Sequence, residues 1–191
     1  MNLVRSAVTL SRRILTPPRA DHAHRVASLL INPTQEELAT AYLHDILEDT
    51  NYKEKRLRER FGNKVAAWVI ALTNDMPYSS VRDFSYFKDA CPEVKKIKLA
   101  DRIDNIKKRV YQDDPLFRPD YSDYVEETEK LLEVIQDGDA NLAALLSNLI
   151  GKLKVICAKY EHGNVLQVYT NPYSSKTSKI DRGAREHING D

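Results

Sequence analysis

Apolar residues return every three or four positions along most of the chain, the spacing of one helix face rather than the alternation of a half-buried strand. Leu3, Val4, Val8, Leu10 and Ile14 form a first amphipathic set, which Pro17-Pro18 ends because proline cannot continue a preceding helix. A second helix is predicted from about Arg19 to Ile31, broken at Asn32-Pro33; Thr34 with Glu37 then makes a capping box for a third, through His44 and Asp45. Lys53 to Arg60 reads as a short charged helix ending near Gly62, and Lys64 to Thr73 as an apolar one in which Trp68 is a core residue. Asn74 to Ser80 is a loop, Val81 to Ala90 a further helix, and Pro92 opens the helix that bears Asp101, at the position where its missing amide is no loss. Asp120 can cap a helix from Tyr121 to about Gln136, and Asp139 to about Lys159 forms the last, with Leu142, Leu145, Leu146, Leu149, Ile150 and Leu153 along one side. No alternating apolar run appears. The expected fold is all-α, a single helical bundle over residues 1–162 followed by a loosely ordered tail over 163–191, rich in Ser, Asn and Gly and poor in large apolar groups after Tyr173.

Composition narrows the partners. A chain of 191 residues can bury one good core and has no room for a second catalytic domain of ordinary size. Its 29 basic and 28 acidic residues leave a net charge of +1, which gives no electrostatic footprint for a nucleic acid polymer. Two cysteines, Cys91 and Cys157, provide no disulfide framework and suit a reduced cytoplasmic compartment. No apolar run approaches the ~20 residues of a membrane span. The first twenty residues contain Arg5, Arg12, Arg13 and Arg19 and no acid, a composition shared with transit peptides, although the amphipathic helix explains them better.

The candidate chemistry lies in three helices. His22, His44, Asp45 and Asp101 together offer mixed imidazole and carboxylate donors, a set that suits a divalent manganese, iron or zinc ion. Glu48 falls three and four positions after Asp45 and His44, and Asp49 one turn after Asp45, so further carboxylates would project beside the first donors. Tyr42, Leu43, Ile46 and Leu47 surround them with apolar groups, and unpaired carboxylates in such a setting are too costly to be incidental.

The order His22, then His44-Asp45-x-x-Glu48-Asp49-Thr50, then Lys98-Leu99-Ala100-Asp101-Arg102-x-x-Asn105 resembles the HD-domain phosphohydrolases, and among them the hydrolase domain of Rel/SpoT-type alarmone enzymes. The resemblance runs from about Asp21 to about Leu132. It implies an HD-domain helical bundle in which His22, His44, Asp45 and Asp101 bind one metal ion, most often manganese. Glu48 and Asp49 would then position and deprotonate the attacking water, and Asn105 would contact the nucleotide. Val26 and Ala27 favour His22 over His24 as the first ligand. Arg12 or Arg13 fits a basic substrate-binding position, and Arg118 and Tyr124 are further candidates for holding the substrate.

The implied activity is removal of the 3′-pyrophosphate from (p)ppGpp, by a stand-alone small alarmone hydrolase. A nucleotidase or nucleoside triphosphohydrolase, and a nucleotide-sensing module without turnover, are the alternatives. The chain departs from the family pattern at Ala23, where proline is usual, and at Asp104, where histidine or tyrosine is usual. Asp104 reads as an added negative charge near the phosphate-binding region. The Tyr-rich stretch Tyr121 to Leu132 fits a homodimer face and core packing equally.

Overall fold

A computed structural model describes residues 2–73, 83–112 and 121–162. The expected tail, the Asn74–Ser80 loop and Arg118 lie outside these residues. Among the described residues are eight α-helices and no strand: α1 (Leu3–Ile14), α2 (Pro17–Leu29), α3 (Gln35–Leu43), α4 (Ile46–Asp49), α5 (Glu54–Leu72), α6 (Pro92–Gln112), α7 (Tyr121–Ile135) and α8 (Ala140–His162).

Local chemistry sets most boundaries. Asn2 Oδ1 accepts the Arg5 amide and starts α1, whose last turn carries Arg12 and Arg13, cations that favour a helix C-terminus. Pro17 and Pro18 occupy the first turn of α2. The Thr34–Glu37 capping box is formed, and Asn32 before it takes a left-handed φ of 48°. Asp139 Oδ1 accepts the amides of Asn141 and Leu142, each at 3.0 Å, at the start of α8.

Two expectations change, and one break falls where it was expected. The helix expected over Val81–Ala90 is, in its described part, a 3-10 turn over Ser85–Phe87. Asp83 binds both the amide and the hydroxyl of Ser85, and the three-residue period buries Phe84 and Phe87 together. The break expected near Gly62 is present as a kink within α5, where Gly62 leaves helical dihedrals between the charged and the apolar stretch. Finally, α3 does not continue through His44 and Asp45. It stops at Leu43, Asp45 adopts φ −96° and ψ 2°, and α4 begins at Ile46.

Helix α6 is the axis of the bundle, packing against α2, α3, α5, α7 and α8. Its Ile97, Leu99, Ile103 and Ile106 are fully buried in the larger core, with Trp68, Tyr121, Leu131, Leu146 and Leu153. A smaller core joins α1, α3 and α5 through Ala7, Leu10, Leu43, Leu57, Phe61 and Val65. Tyr42 packs against both. Core packing thus accounts for most of the apolar side of α7. Contrary to the sequence expectation, Ala140–Tyr160 of α8 is long and apolar enough to cross a membrane, with mean hydropathy 1.3; its Leu142, Leu146, Leu149, Ile150 and Leu153 are buried within the bundle.

Two features generate tests. Gly62 has φ 83°, and a Cβ built there meets nothing within 4 Å, so the backbone alone demands glycine. Gly62→Ala should cost about 1–2 kcal/mol of unfolding free energy; an unchanged urea midpoint would mean that the kink relaxes freely.

Glu37 ties the start of α3 to α6, accepting the Thr34 amide at 2.7 Å and Lys96 Nζ at 3.0 Å. Burial would raise its pKa, but the Thr34 amide and the Lys96 ammonium together hold it below the ordinary 4.5. A depressed carboxyl pKa stabilises the fold above the unfolded value, and that contribution is lost as pH falls through the folded value. Glu37→Gln should therefore cost about 1–2 kcal/mol near neutrality, with the gap to the parent narrowing below pH 4.5. A gap that stays constant down to about pH 3 would assign the effect to shape rather than charge.

Candidate metal centre and cavity

On a continuous helix neighbouring side chains diverge by about 100°. His44 keeps helical dihedrals while Asp45 departs from them at φ −96° and ψ 2°, and the two side chains aim at one point, with His44 Nε2 3.1 Å from Asp45 Oδ2. His22 enters from α2 and Asp101 from α6: His22 Nε2 lies 3.2 Å from Asp101 Oδ1 and 3.7 Å from Asp45 Oδ2, and His44 Nε2 lies 3.9 Å from Asp101 Oδ1. Donors about 2.0–2.2 Å from a shared ion stand about 3–4 Å from one another, so these separations suit a single cation.

Hydrogen bonding prepares both imidazoles. His44 Nδ1 donates to the Ala41 carbonyl at 2.8 Å, and His22 Nδ1 donates to Asp104 Oδ2 at 2.7 Å. Each ring therefore turns Nε2 toward the shared point. His44 Nε2 is buried and makes no hydrogen bond of acceptable geometry, an orphaned polar atom that a metal ligand explains. A cation fits the donor set.

The electrostatics agree. Burial alone would lower the His22 pKa, but hydrogen bonds to Asp101 and Asp104 and the charges of Asp101 and Asp45 raise it to about 9. Burial likewise opposes a charged His44, yet Asp45 and Asp101 push its pKa up. Burial would raise the Asp101 pKa, but the Lys98 ammonium and the two histidines hold the carboxyl well below its usual range. The field that retains protons on the imidazoles is the field that would hold a divalent cation in their place.

His22, Asp45 and Asp101 open into a cavity of about 470 Å³ that Glu48, Asp49, Glu127, Arg19, Lys98, Arg102, Lys108, Arg109 and Tyr124 also line. Asp49 Oδ2 is 2.9 Å from Arg19 Nε, and burial together with nearby Asp45 raises its pKa. Lys98 Nζ sits 2.9 Å from Asp101 Oδ2. Asn105 faces the cavity but donates its amide to Asp101 Oδ1 at 2.8 Å. The Tyr124 ring lies beneath two guanidiniums, with Arg109 Cζ 3.5 Å and Arg102 Cζ 4.8 Å from its centre.

The structure thus brings His22, Asp45, Asp101, Glu48, Asp49, Asn105 and Tyr124 to one cavity, with His44 buried beside Asp45 and Asp101. Arg12 is exposed near the end of α1 and does not line this cavity. Arg19 lines it instead, and its position three residues before His22 on one helix face was the available signal. His24 lies apart, its Nδ1 3.0 Å from the Tyr42 hydroxyl. Asp104 corrects the sequence reading: it is buried with its carboxylate on His22, Arg25 and Lys108, so it adds no free negative charge to the phosphate region.

No family model matches the chain. A curated relative, the guanosine-3′,5′-bis(diphosphate) 3′-pyrophosphohydrolase of Aquifex aeolicus strain VF5, is 38% identical over 79 residues. That match covers 38% of this chain, and the chain spans only 11% of the relative's length. A solved structure described as a metazoan ortholog of SpoT that hydrolyzes ppGpp and plays a role in starvation responses superposes with a TM-score of 0.66. It covers 80% of this chain and 96% of that chain at 20% identity. The chain therefore resembles Rel/SpoT-type HD hydrolases in sequence over a segment, and shares the helical fold of one over most of its length.

A site of this kind predicts metal-linked stability. A divalent cation held there, at about a hundredfold over its Kd, should add about 2.7 kcal/mol and raise the Tm of the parent protein. His44→Ala and Asp101→Ala should lose that rise. An equal rise in both variants would place the metal elsewhere.

Proposed function

We propose that the chain is a divalent-metal-dependent pyrophosphohydrolase that removes the 3′-pyrophosphate of guanosine alarmones, giving GDP or GTP and pyrophosphate. The observation that carries this reading is the convergence of His22, His44, Asp45 and Asp101 beside Glu48 and Asp49, at a cavity lined by both carboxylates and cations. The guanosine substrate is inferred from the names of the similar proteins.

His22, His44, Asp45 and Asp101 hold the ion, and manganese is the proposed metal. A divalent cation bound there supplies Lewis acidity toward a phosphate oxygen and toward water. Asp49, held by Arg19, accepts the proton in this reading, and Glu48 at the preceding position orients the water that loses it. The water oxygen bonds to phosphorus, the bond from phosphorus to the ribose 3′-oxygen breaks, and that oxygen keeps the electron pair and gains a proton. Lys98, Arg102, Lys108 and Arg109 surround the pyrophosphate charge and stabilise it as it leaves. Arg109 over Tyr124 forms a platform on which the nucleoside can stack.

The position of Arg12 outside the cavity favours one second reading, hydrolysis of another nucleotide at the same metal site. The reduced cysteines suit a cytoplasmic protein, and we assign residues 1–162 to the hydrolase domain.

The deciding assay measures phosphate and pyrophosphate release with manganese from ppGpp, pppGpp, GTP, dGTP, dATP and nucleoside monophosphates. Pyrophosphate from the alarmones alone is expected; release from triphosphates or monophosphates instead would move the protein to the second reading. Glu48→Gln should keep metal-dependent stabilisation and lose about 10²–10⁴-fold in kcat, whereas full activity in that variant would remove Glu48 from the mechanism.

A further inference from the structure

The two imidazoles are fixed by different means. His44 is held locally, by the Ala41 carbonyl three residues before it. His22 has no such local acceptor. Its Nδ1 donates across the helix interface to Asp104 Oδ2, at 2.7 Å, while its Nε2 faces Asp101 Oδ1 at 3.2 Å. Asp101 and Asp104 are one turn apart on α6, so a single helix grips this ring from both sides.

Asp104 is itself held in place. Arg25, one turn after His22 on α2, donates through Nε to Asp104 Oδ1 at 2.7 Å and through Nη2 to Oδ2 at 3.1 Å. Lys108 Nζ stands 3.2 Å from Oδ2. The carboxylate is 4% exposed, and its charge is matched by two cations.

We propose that Asp104, oriented by Arg25, is a positioning residue that fixes the orientation and tautomer of His22 and thereby sets the affinity of the site for its metal ion. A carboxylate behind a ligating imidazole locks the ring with Nε2 outward and raises its basicity, and removing such a partner typically weakens metal binding about 10- to 100-fold. The inference rests on His22 being a ligand. It has a competing explanation that must be separated: Arg25–Asp104 could serve only as a tie between α2 and α6.

The test is manganese affinity of the full chain, read from the electron paramagnetic resonance signal of free Mn²⁺, in the parent, Asp104→Ala, Asp104→Asn, Arg25→Ala and His22→Ala. Asp104→Ala should bind about 10- to 100-fold more weakly. Asp104→Asn should fall between it and the parent, because its amide oxygen still accepts the Nδ1 proton without carrying charge. Arg25→Ala breaks the interhelical ion pair but leaves the carboxylate against His22, so it should lose less than Asp104→Ala. Parent-like affinity in Asp104→Ala, or an equal loss in Arg25→Ala, would overturn the proposal while a loss in His22→Ala kept the metal reading. Parent-like affinity in His22→Ala would remove both. If Asp104→Ala does not fold, Asp104→Asn decides: weaker manganese binding than the parent supports the positioning role, and parent-like binding overturns it.

Discussion

Asp101 is a carboxylate buried to 7% exposure on the helix against which most of the bundle packs. An ionised group in that position must be compensated by charge or hydrogen bonds, and its partners organise much of the structure. Lys98 takes one oxygen from the preceding turn, Asn105 takes the other from the following turn, and His22 approaches from α2. The α2–α6 interface is consequently polar at its centre and apolar around it, with Val26, Ala27, Ile103 and Ile106 in the surrounding core. Hydrophobic packing makes this interface stable; the histidine and the carboxylates give it a fixed register.

The break between α3 and α4 serves the same requirement. Apolar Leu43 and Ile46 are both fully buried, so the chain is anchored on each side of His44-Asp45 and the two polar residues turn inward between them. Asp45 N-terminal to α4 also places Glu48 and Asp49 in the first turn of that short helix, where negative charge is favourable. The Thr50 hydroxyl then donates to the Ile46 carbonyl and accepts the Tyr52 amide, which closes the segment before α5 begins. A motif that reads as consecutive helical residues is therefore a turn whose geometry lets adjacent side chains converge.

Helix periodicity and caps were legible because they are local: the Thr34–Glu37 box, Pro92, Asp139 and the break at Gly62 all appear where their chemistry places them. The cluster of His22, His44, Asp45 and Asp101 was legible because few other settings place these residue types among apolar neighbours. Failures came where a local side-chain bond competed with the helical pattern or where long-range geometry decided. Val81–Ala90 had a helical pattern over its residues, but Asp83 binds Ser85 locally and Phe84 and Phe87 pack as a 3-10 pair. Asp104 looked like an intrusive charge because neither His22 nor Arg25, some eighty residues earlier, can be seen as its partner from sequence spacing. Arg19 carried a signal in its three-residue spacing to His22, whereas Arg12 could be set aside only once the α1–α2 corner was placed.

The position of α6 also explains how opposite charges share one cavity. Lys98, Asp101, Arg102, Asn105, Lys108 and Arg109 recur at three- and four-residue spacing, so they lie along one side of the helix and all line the cavity. Ile97, Ala100, Ile103 and Ile106 interleave with them and enter the core. The stripe passes from a carboxylate beside the two histidines to guanidiniums over Tyr124. A substrate with a phosphate at the histidine side and an aromatic base at the tyrosine side would match that gradient along a single helix. Net charge cannot reveal it, because the cations and carboxylates that create the gradient cancel in the sum.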